Sequence, residues 1–374
     1  MTPSELTLRG DERIVFALRS LYARYGYTSY KMSKFEDYEL YARNKDFLVS
    51  DNVITFNDIG GRLMALKPDV TLSIVKNGDD CAGRVQKVYY NENVYRVSAR
   101  THRFSEIMQT GLECIGDLDD YCVGEVLMLA AKSLRTVSQN AVLDLSHLGV
   151  LSALLDTLSV PAAARRDLLR CVGEKNVHEL TSLCRANGVA EAQTALLCAL
   201  VSTYGTPETV LPALREKLSG VIDLSPFDEL ERAISAVPAD MRDILRIDFS
   251  VVGDLTYYNG IVFKGFVSGV PNSVLSGGRY DRLLRKLGRT AGAIGFAVYM
   301  DELERLSETA APYDVDVLLL YEDADPAAVR AAVERLSANG ESVSAQRAQP
   351  EKLRYRRLVR LEQNGEVNEL ERNA

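Results

Sequence analysis

The sequence predicts an α+β fold in which helices flank an antiparallel sheet and a helical block interrupts it. Three observations carry this. Alternating or continuous apolar segments bounded by Gly, Asn and Asp gather in residues 53–115 and again in 246–281. Helical spacing frames the first of these groups, at 11–27 and at 120–136. From about 148 to 240 the character changes: Leu and Ala dominate, aromatic residues thin out, and the 3.6-residue period continues. Strands gathered apart from helices, rather than alternating with them, define the α+β class.

The elements follow in order. Ile14, Leu18, Leu21 and Tyr22 fall on one helical face, and Gly26 closes that run. A hairpin is expected from 53–56 and 62–66 around Asn57-Asp58-Ile59-Gly60-Gly61, and a helix begins near 69–77. Strands are expected at 85–90 and 94–97 about a turn at Asn91-Glu92-Asn93, then at 104–115. After the helical block come strands at 246–252 and 257–267, the segment 276–281, and a helix at 295–307. Residues 308–313 read as a linker. Beyond it lie a strand at Val317–Tyr321, a helix started by Asp325-Pro326 and ended by Gly340, a strand at Val343–Gln346 and a hairpin about Asn364-Gly365. The domains are therefore 1–310, a core carrying the insertion at about 148–240, and 311–374, a short α/β tail that is small for an independent domain.

Composition narrows the function classes. A length of 374 residues fits two or three domains, and 47% apolar with 26% charged residues supports a sizeable core. The charge of −8, from 44 basic and 52 acidic residues, argues against a nucleic-acid partner held by its phosphates. No apolar stretch approaches the roughly 20 residues of a spanning helix, and the N-terminus lacks a secretory pattern, so a cytoplasmic chain without membrane contact is expected. Cys81, Cys114, Cys122, Cys171, Cys184 and Cys198 form no Cys-x-x-Cys pair, which fits reduced thiols. His102, His147 and His178 are scattered, so no zinc site and no histidine-based triad is expected. No Walker motif or dinucleotide fingerprint is present, and no cofactor is expected.

Candidate binding residues come from strand alternation. Ile107, Gln109, Gly111, Glu113 and Ile115 share one face of the 104–115 strand, with Gln109 and Glu113 roughly 13 Å apart. Gly111 between them leaves room for a small zwitterion with a hydrogen-bonding ring, or marks a bulge on a solvated face. Asp69 and Thr71 stand at a helix start, where they cap backbone N–H groups or receive a ligand's ammonium. Tyr257 and Tyr258 are expected on opposite faces of a strand, one in the core and one in a pocket. Gly277 and Gly278 permit close approach of backbone to ligand, or a tight turn. The basic group Lys352, Arg354, Arg356, Arg357 and Arg360 reads as a solvated face diluted by Glu351, Glu362 and Glu366.

Taken in order, five segments resemble the catalytic core of the class II histidyl-tRNA synthetases over about residues 10–305. They are Leu66-Lys67-Pro68-Asp69-Val70-Thr71; Tyr95-Arg96 leading into Gln109-x-x-x-Glu113; Leu255-Thr256-Tyr257-Tyr258-Asn259-Gly260; Gly277-Gly278-Arg279-Tyr280-Asp281; and Gly295-Phe296-Ala297. The resemblance implies a six-stranded antiparallel sheet. It implies that Asp69, Thr71, Gln109, Glu113 and Tyr258 hold histidine's ammonium and imidazole, with Arg96 contacting the carboxylate and the phosphate. It also exposes departures. Gly253 stands where the synthetases carry an arginine, Glu302 where they carry the motif 3 arginine, Arg96-Val97-Ser98 replaces Arg-x-Glu, and Ser33 replaces the motif 1 proline. Each lost cation costs adenylation on the order of 3 kcal/mol.

A retained amino-acid pocket beside a lost ATP clamp resembles the synthetase-like regulatory subunits of ATP phosphoribosyltransferase. That resemblance implies a non-catalytic chain that activates the short-form catalytic subunit in histidine biosynthesis, in a hetero-octamer, with L-histidine as feedback ligand. It also implies a homodimer of the core. An active histidine-adenylating ligase is the alternative, and an interaction module without a small-molecule ligand is a third.

Overall fold

The computed structural model describes residues 10–44, 53–77, 83–97, 103–252, 257–304 and 313–373. Asp11–Arg305 forms one compact unit, and residues 313–373 belong to another. Gly253, Ser98 and most of the expected linker lie outside the described residues.

The first unit opens with α1 (Gly10–Arg24), whose acidic first turn and Arg24 at its end complement the helix dipole. Val15, Leu18, Leu21 and Tyr22 are its buried face, and Gly26, at φ 80°, supplies the left-handed residue that ends the run. Next come β1 (Thr28–Ser29), β2 (Phe35–Asp37), α2 (Tyr38–Arg43), β3 (Thr55–Asn57), β4 (Leu63–Leu66) and α3 (Thr71–Asn77). The expected hairpin is present as β3 and β4, and β2 completes a three-stranded sheet.

The long strands β5 (Val85–Val97) and β6 (Phe104–Gly116) pair residue for residue. The turn expected at 91–93 is therefore absent, and β5 runs straight through it. Polar side chains there find partners across the strand: Thr110 donates to Asn91 Oδ1 at 2.7 Å, and Glu92 pairs with Lys67. After α4 (Asp120–Val137), N-capped by Asp119, and β7 (Ala141–His147), the helical block contains α5 (Leu148–Asp156), α6 (Ala162–Gly173), α7 (Val177–Ala186), α8 (Glu191–Ser202), β8 (Tyr204–Gly205), α9 (Pro207–Leu218) and α10 (Ser225–Ser235). Its buried leucines belong to the same apolar core as α1, α4 and the back of the main sheet, so the block is built onto the sheet.

The unit closes with β9 (Leu245–Asp248), β10 (Ile261–Val267), β11 (Leu275–Arg279), α11 (Asp281–Lys286), β12 (Gly292–Tyr299) and α12 (Met300–Glu304). Two expectations are corrected here. Residues 257–260 precede the strand and are not part of it. Residues 292–299 form a central strand where a helix was expected; a short apolar run is ambiguous, and the neighbours on both sides decide it. The main sheet has nine strands in the order β1-β5-β6-β12-β11-β10-β7-β9-β8. Its six central strands, β5 to β7 in that order, are all antiparallel, while β1 on β5 and β9 on β7 are parallel.

The second unit has β13 (Val315–Leu320), α13 (Pro326–Ser337), β14 (Val343–Gln346), β15 (Tyr355–Leu361) and β16 (Val367–Arg372) in a sheet ordered β14-β13-β15-β16. Asp325 caps α13 by accepting from the N–H groups of Ala327 and Ala328. Arg354, Arg356, Arg357 and Arg360 each face a carboxylate, on Asp314, Glu341, Glu341 and Glu322 respectively, consistent with a solvated ion-pair surface.

Candidate functional site

The open face of the main sheet carries a cavity of about 420 Å³, within the range of small-molecule sites. Sheet register explains why there is room. Gly111 on β6 lies opposite Ala297 on β12, Ala297 opposite Ser276 on β11, and Ser276 opposite Lys264 on β10. One row over, Glu113 lies opposite Gly295, and Gly295 opposite Gly278. Ser276, Gly295 and Ala297 of these two rows make a low floor, and tyrosines wall it: Tyr90, Tyr257, Tyr258, Tyr280 and Tyr299.

Asp69, Thr71, Arg96, Gln109, Glu113 and Tyr258 all line this cavity. Glu113 is only 2% exposed. One of its oxygens accepts from Thr71 Oγ1 at 2.6 Å and the other from the Tyr280 hydroxyl. Burial outweighs these donors and, with the charge of Asp69, pushes the Glu113 carboxyl up to about 8. Asp69 Oδ1 caps α3 by accepting from Leu72 N at 2.8 Å, so the capping and pocket readings of this residue coincide. Burial also raises the Asp69 carboxyl, against the Leu72 N–H and the nearby Arg96 charge. Arg96 is fixed by donating Nε–H to the Pro68 carbonyl at 3.0 Å.

The glycines play other parts than expected. The space beside Gly111 is filled by Tyr90: a Cβ there would lie 2.5 Å from the Tyr90 hydroxyl and 2.2 Å from the Phe296 carbonyl. Gly277 and Gly278 are strand residues that do not line the cavity. Gly277 admits Phe296 and Phe263, and Gly278 admits the Tyr258 ring. Both Tyr257 and Tyr258 line the cavity, their rings 4.6 Å apart, because they precede β10 and do not alternate along it.

Tyr90, Tyr280, Tyr299, Lys264, Ser276 and Gly295 were not singled out from sequence as pocket residues. Tyr280 belongs to the Gly-Gly-Arg-Tyr-Asp segment, and the pairing of strand ends around it is what brings it to Glu113. Its neighbours hold that segment in place. Arg279 bonds Asp281 at 2.9 Å and Glu229 of α10 at 3.0 Å, while Asp281 accepts from Ala293 N at 2.9 Å. Glu229 also faces His147, whose other ring nitrogen caps α5 by accepting from Gly149 N. Glu302 lies on α12, away from the cavity lining, and accepts from Asn272 Nδ2 at 3.0 Å.

Two buried carboxyl groups, a buried amide and aromatic walls can hold a small cationic or zwitterionic molecule with a planar ring. An antiparallel six-stranded core bearing such a pocket on its open face defines the class II synthetase-like proteins. The family model for histidyl-tRNA synthetase matches residues 3–303, and the chain belongs to that family. It is 27% identical over 320 residues to an ATP phosphoribosyltransferase regulatory subunit of Clostridium kluyveri, covering 81% of each chain. The fold is similar to a solved ATP phosphoribosyltransferase regulatory subunit/histidyl-tRNA synthetase of Bacillus halodurans, with a TM-score of 0.77 at 22% identity over 94% of this chain and 93% of that one. It is also similar to a chain of the ATP phosphoribosyl transferase (HisG:HisZ) complex of Thermotoga maritima, with a TM-score of 0.61 at 19% identity over 76% of this chain and 96% of that one.

Proposed function

We propose that the chain is a non-catalytic regulatory subunit of ATP phosphoribosyltransferase, which activates the short-form catalytic subunit and carries histidine's feedback signal. The observation that carries the reading is the asymmetry of the site. Its amino-acid end is built and buried, with Glu113 held by Thr71 and Tyr280. In contrast, the synthetase resemblance puts Gly253 and Glu302 at the sequence positions of two arginines that serve the triphosphate. A carboxylate and a missing side chain do not stabilise charge building on an α-phosphate, and each loss costs on the order of 3 kcal/mol in rate. The names of the relatives point the same way.

In this reading histidine lies between the carboxylates of Asp69 and Glu113, beside Thr71, Gln109, Arg96 and Tyr258. The core pairs as a homodimer through the segment containing Ser33, and the dimers join the catalytic chain in a hetero-octamer in the cytoplasm. Residues 1–310 form the synthetase-like core and 311–374 the tail. Histidine shifts the assembly only by its difference in affinity between the two arrangements.

The test is phosphoribosyl-ATP formation by a short-form catalytic subunit with and without this chain, then with histidine. Activation reversed by histidine supports the reading. No activation, together with ATP–pyrophosphate exchange dependent on histidine, would replace it with the ligase.

A further inference from the structure

The cavity has an acidic end and a basic end. Asp69 and Glu113 lie at one end, and Lys264, on β10, lines the other. The backbones of β6 and β10 are separated by β12 and β11, so three strand spacings of about 4.8 Å set them about 14 Å apart. Register puts the Glu113 and Lys264 side chains on the same face of the sheet, at the two sides of that span. Between their tips lies room for a molecule of amino-acid size above the low floor of Gly295, Ala297 and Ser276.

Lys264 stands on that floor with no ion pair among the described residues. Its cross-strand neighbours are Ser276 and Asp144, and among the described residues its ammonium pairs with no carboxylate. Asp144 has Asp248, Lys175 and Arg246 as its main charged neighbours, and its Oδ1 is buried without a hydrogen-bond partner, so it does not bond the ammonium. A half-buried ammonium that gives up hydration and gains no protein partner is a cost that an anionic ligand group repays. The other cation of the cavity, Arg96, is at the opposite end. It is tied to the carbonyl of Pro68, the residue before Asp69, so its charge serves the acidic end.

We propose that Lys264 is the specificity-determining residue that binds the carboxylate of the amino-acid ligand, setting the ligand's direction across the sheet from Glu113 to β10. This rests on the amino-acid pocket proposed above, and it assigns to Lys264 a contact that the synthetase resemblance gives to Arg96.

Calorimetric titration of the full chain with L-histidine and with histamine, which lacks the carboxylate, tests it in the wild type, Lys264→Met and Arg96→Met. The wild type is expected to prefer histidine by about tenfold or more, the value of one charge-assisted hydrogen bond. Lys264→Met should bring the two ligands within about twofold, the loss falling on histidine, while Arg96→Met keeps the preference. Lys264→Gln, which preserves a polar tip, gives the same result if charge is what matters, and an unchanged melting temperature certifies the fold of each variant. A preference that survives Lys264→Met, or one that Arg96→Met abolishes, overturns the assignment while leaving the pocket intact. A wild type that binds neither ligand overturns the pocket reading itself, and this assignment with it.

Discussion

Thr71 donates its hydroxyl to Glu113 at 2.6 Å, joining the start of α3 to the middle of β6 across 42 positions of sequence. Tyr280 donates to the second oxygen of the same carboxyl group. The pocket's deepest acid is thus held from both sides, yet burial keeps it protonated up to about pH 8 against an ordinary value of 4.5.

That shift has a sign. Between about pH 4.5 and 8 the native state retains a proton that the unfolded chain has released, so stability falls as pH rises through this window and levels off above it. Glu113→Gln keeps the shape and removes the titration. Urea unfolding at pH 6 and pH 9 should show the wild type losing about 3 kcal/mol relative to Glu113→Gln over that interval. Parallel pH profiles for the two proteins would mean that Glu113 is not the buried acid described.

Asp69 has two duties that one pair of substitutions separates. Asn caps a helix as well as Asp does, so Asp69→Asn should leave the melting temperature unchanged or slightly raised, since burial disfavours the charge. Its histidine affinity should fall about tenfold or more, because a charged partner for the ligand's cation is gone. Asp69→Ala should lose the affinity and, in addition, about 1 kcal/mol of stability with the cap. An Asn variant that binds histidine like the wild type would reduce Asp69 to a capping residue.

Much of the acidic end was legible in the sequence because it depends on local geometry. Two-residue alternation puts Gln109 and Glu113 on one face of β6, and a helix start puts Asp69 beside Thr71. The floor and the opposite wall were not legible. They depend on the order β6-β12-β11-β10, which sets Gly111 next to Ala297 nearly two hundred residues later. Local signals also misled where tertiary partners overrode them. Asn91-Glu92-Asn93 has turn chemistry, but Thr110 and Lys67 satisfy two of its side chains in an extended strand. Ala291 to Met300 has an apolar run short enough for either a strand or a buried helix, and Glu113 beneath Gly295 decides for the strand.

Gly295 shows how tightly that floor is set. A Cβ there would lie 1.8 Å from Glu113 Oε2 and 2.4 Å from the Leu112 carbonyl. The first clash is with a side chain that can turn, the second with backbone that cannot without parting β12 from β6. Gly295→Ala should therefore cost about 1–3 kcal/mol or more and abolish histidine binding. Adding Glu113→Ala should recover only part of the stability, because the carbonyl remains. Full recovery in thermal denaturation of the double variant would show that the strand pairing yields more easily than this spacing allows.

Lys67 provides the last test, next to the pocket but outside its lining. Its side chain has no exposure, and its ammonium pairs with Glu92, whose side chain is 13% exposed. The pair ties the segment before α3 to the middle of β5, and the Tyr95 N–H reinforces it by donating to the Lys67 carbonyl at 2.9 Å. Removing one member of a buried pair strands the other charge, which typically costs 3–5 kcal/mol, whereas replacing both with apolar groups of similar volume is often neutral. Lys67→Met should lower the unfolding midpoint sharply, and Lys67→Met with Glu92→Leu should restore most of it. Histidine affinity reports on whether the tie also orients the site. If the double variant is stable but binds histidine more weakly, the ion pair positions Asp69, two residues along the chain. If it binds like the wild type, the apolar packing around α3 is enough to place that carboxylate.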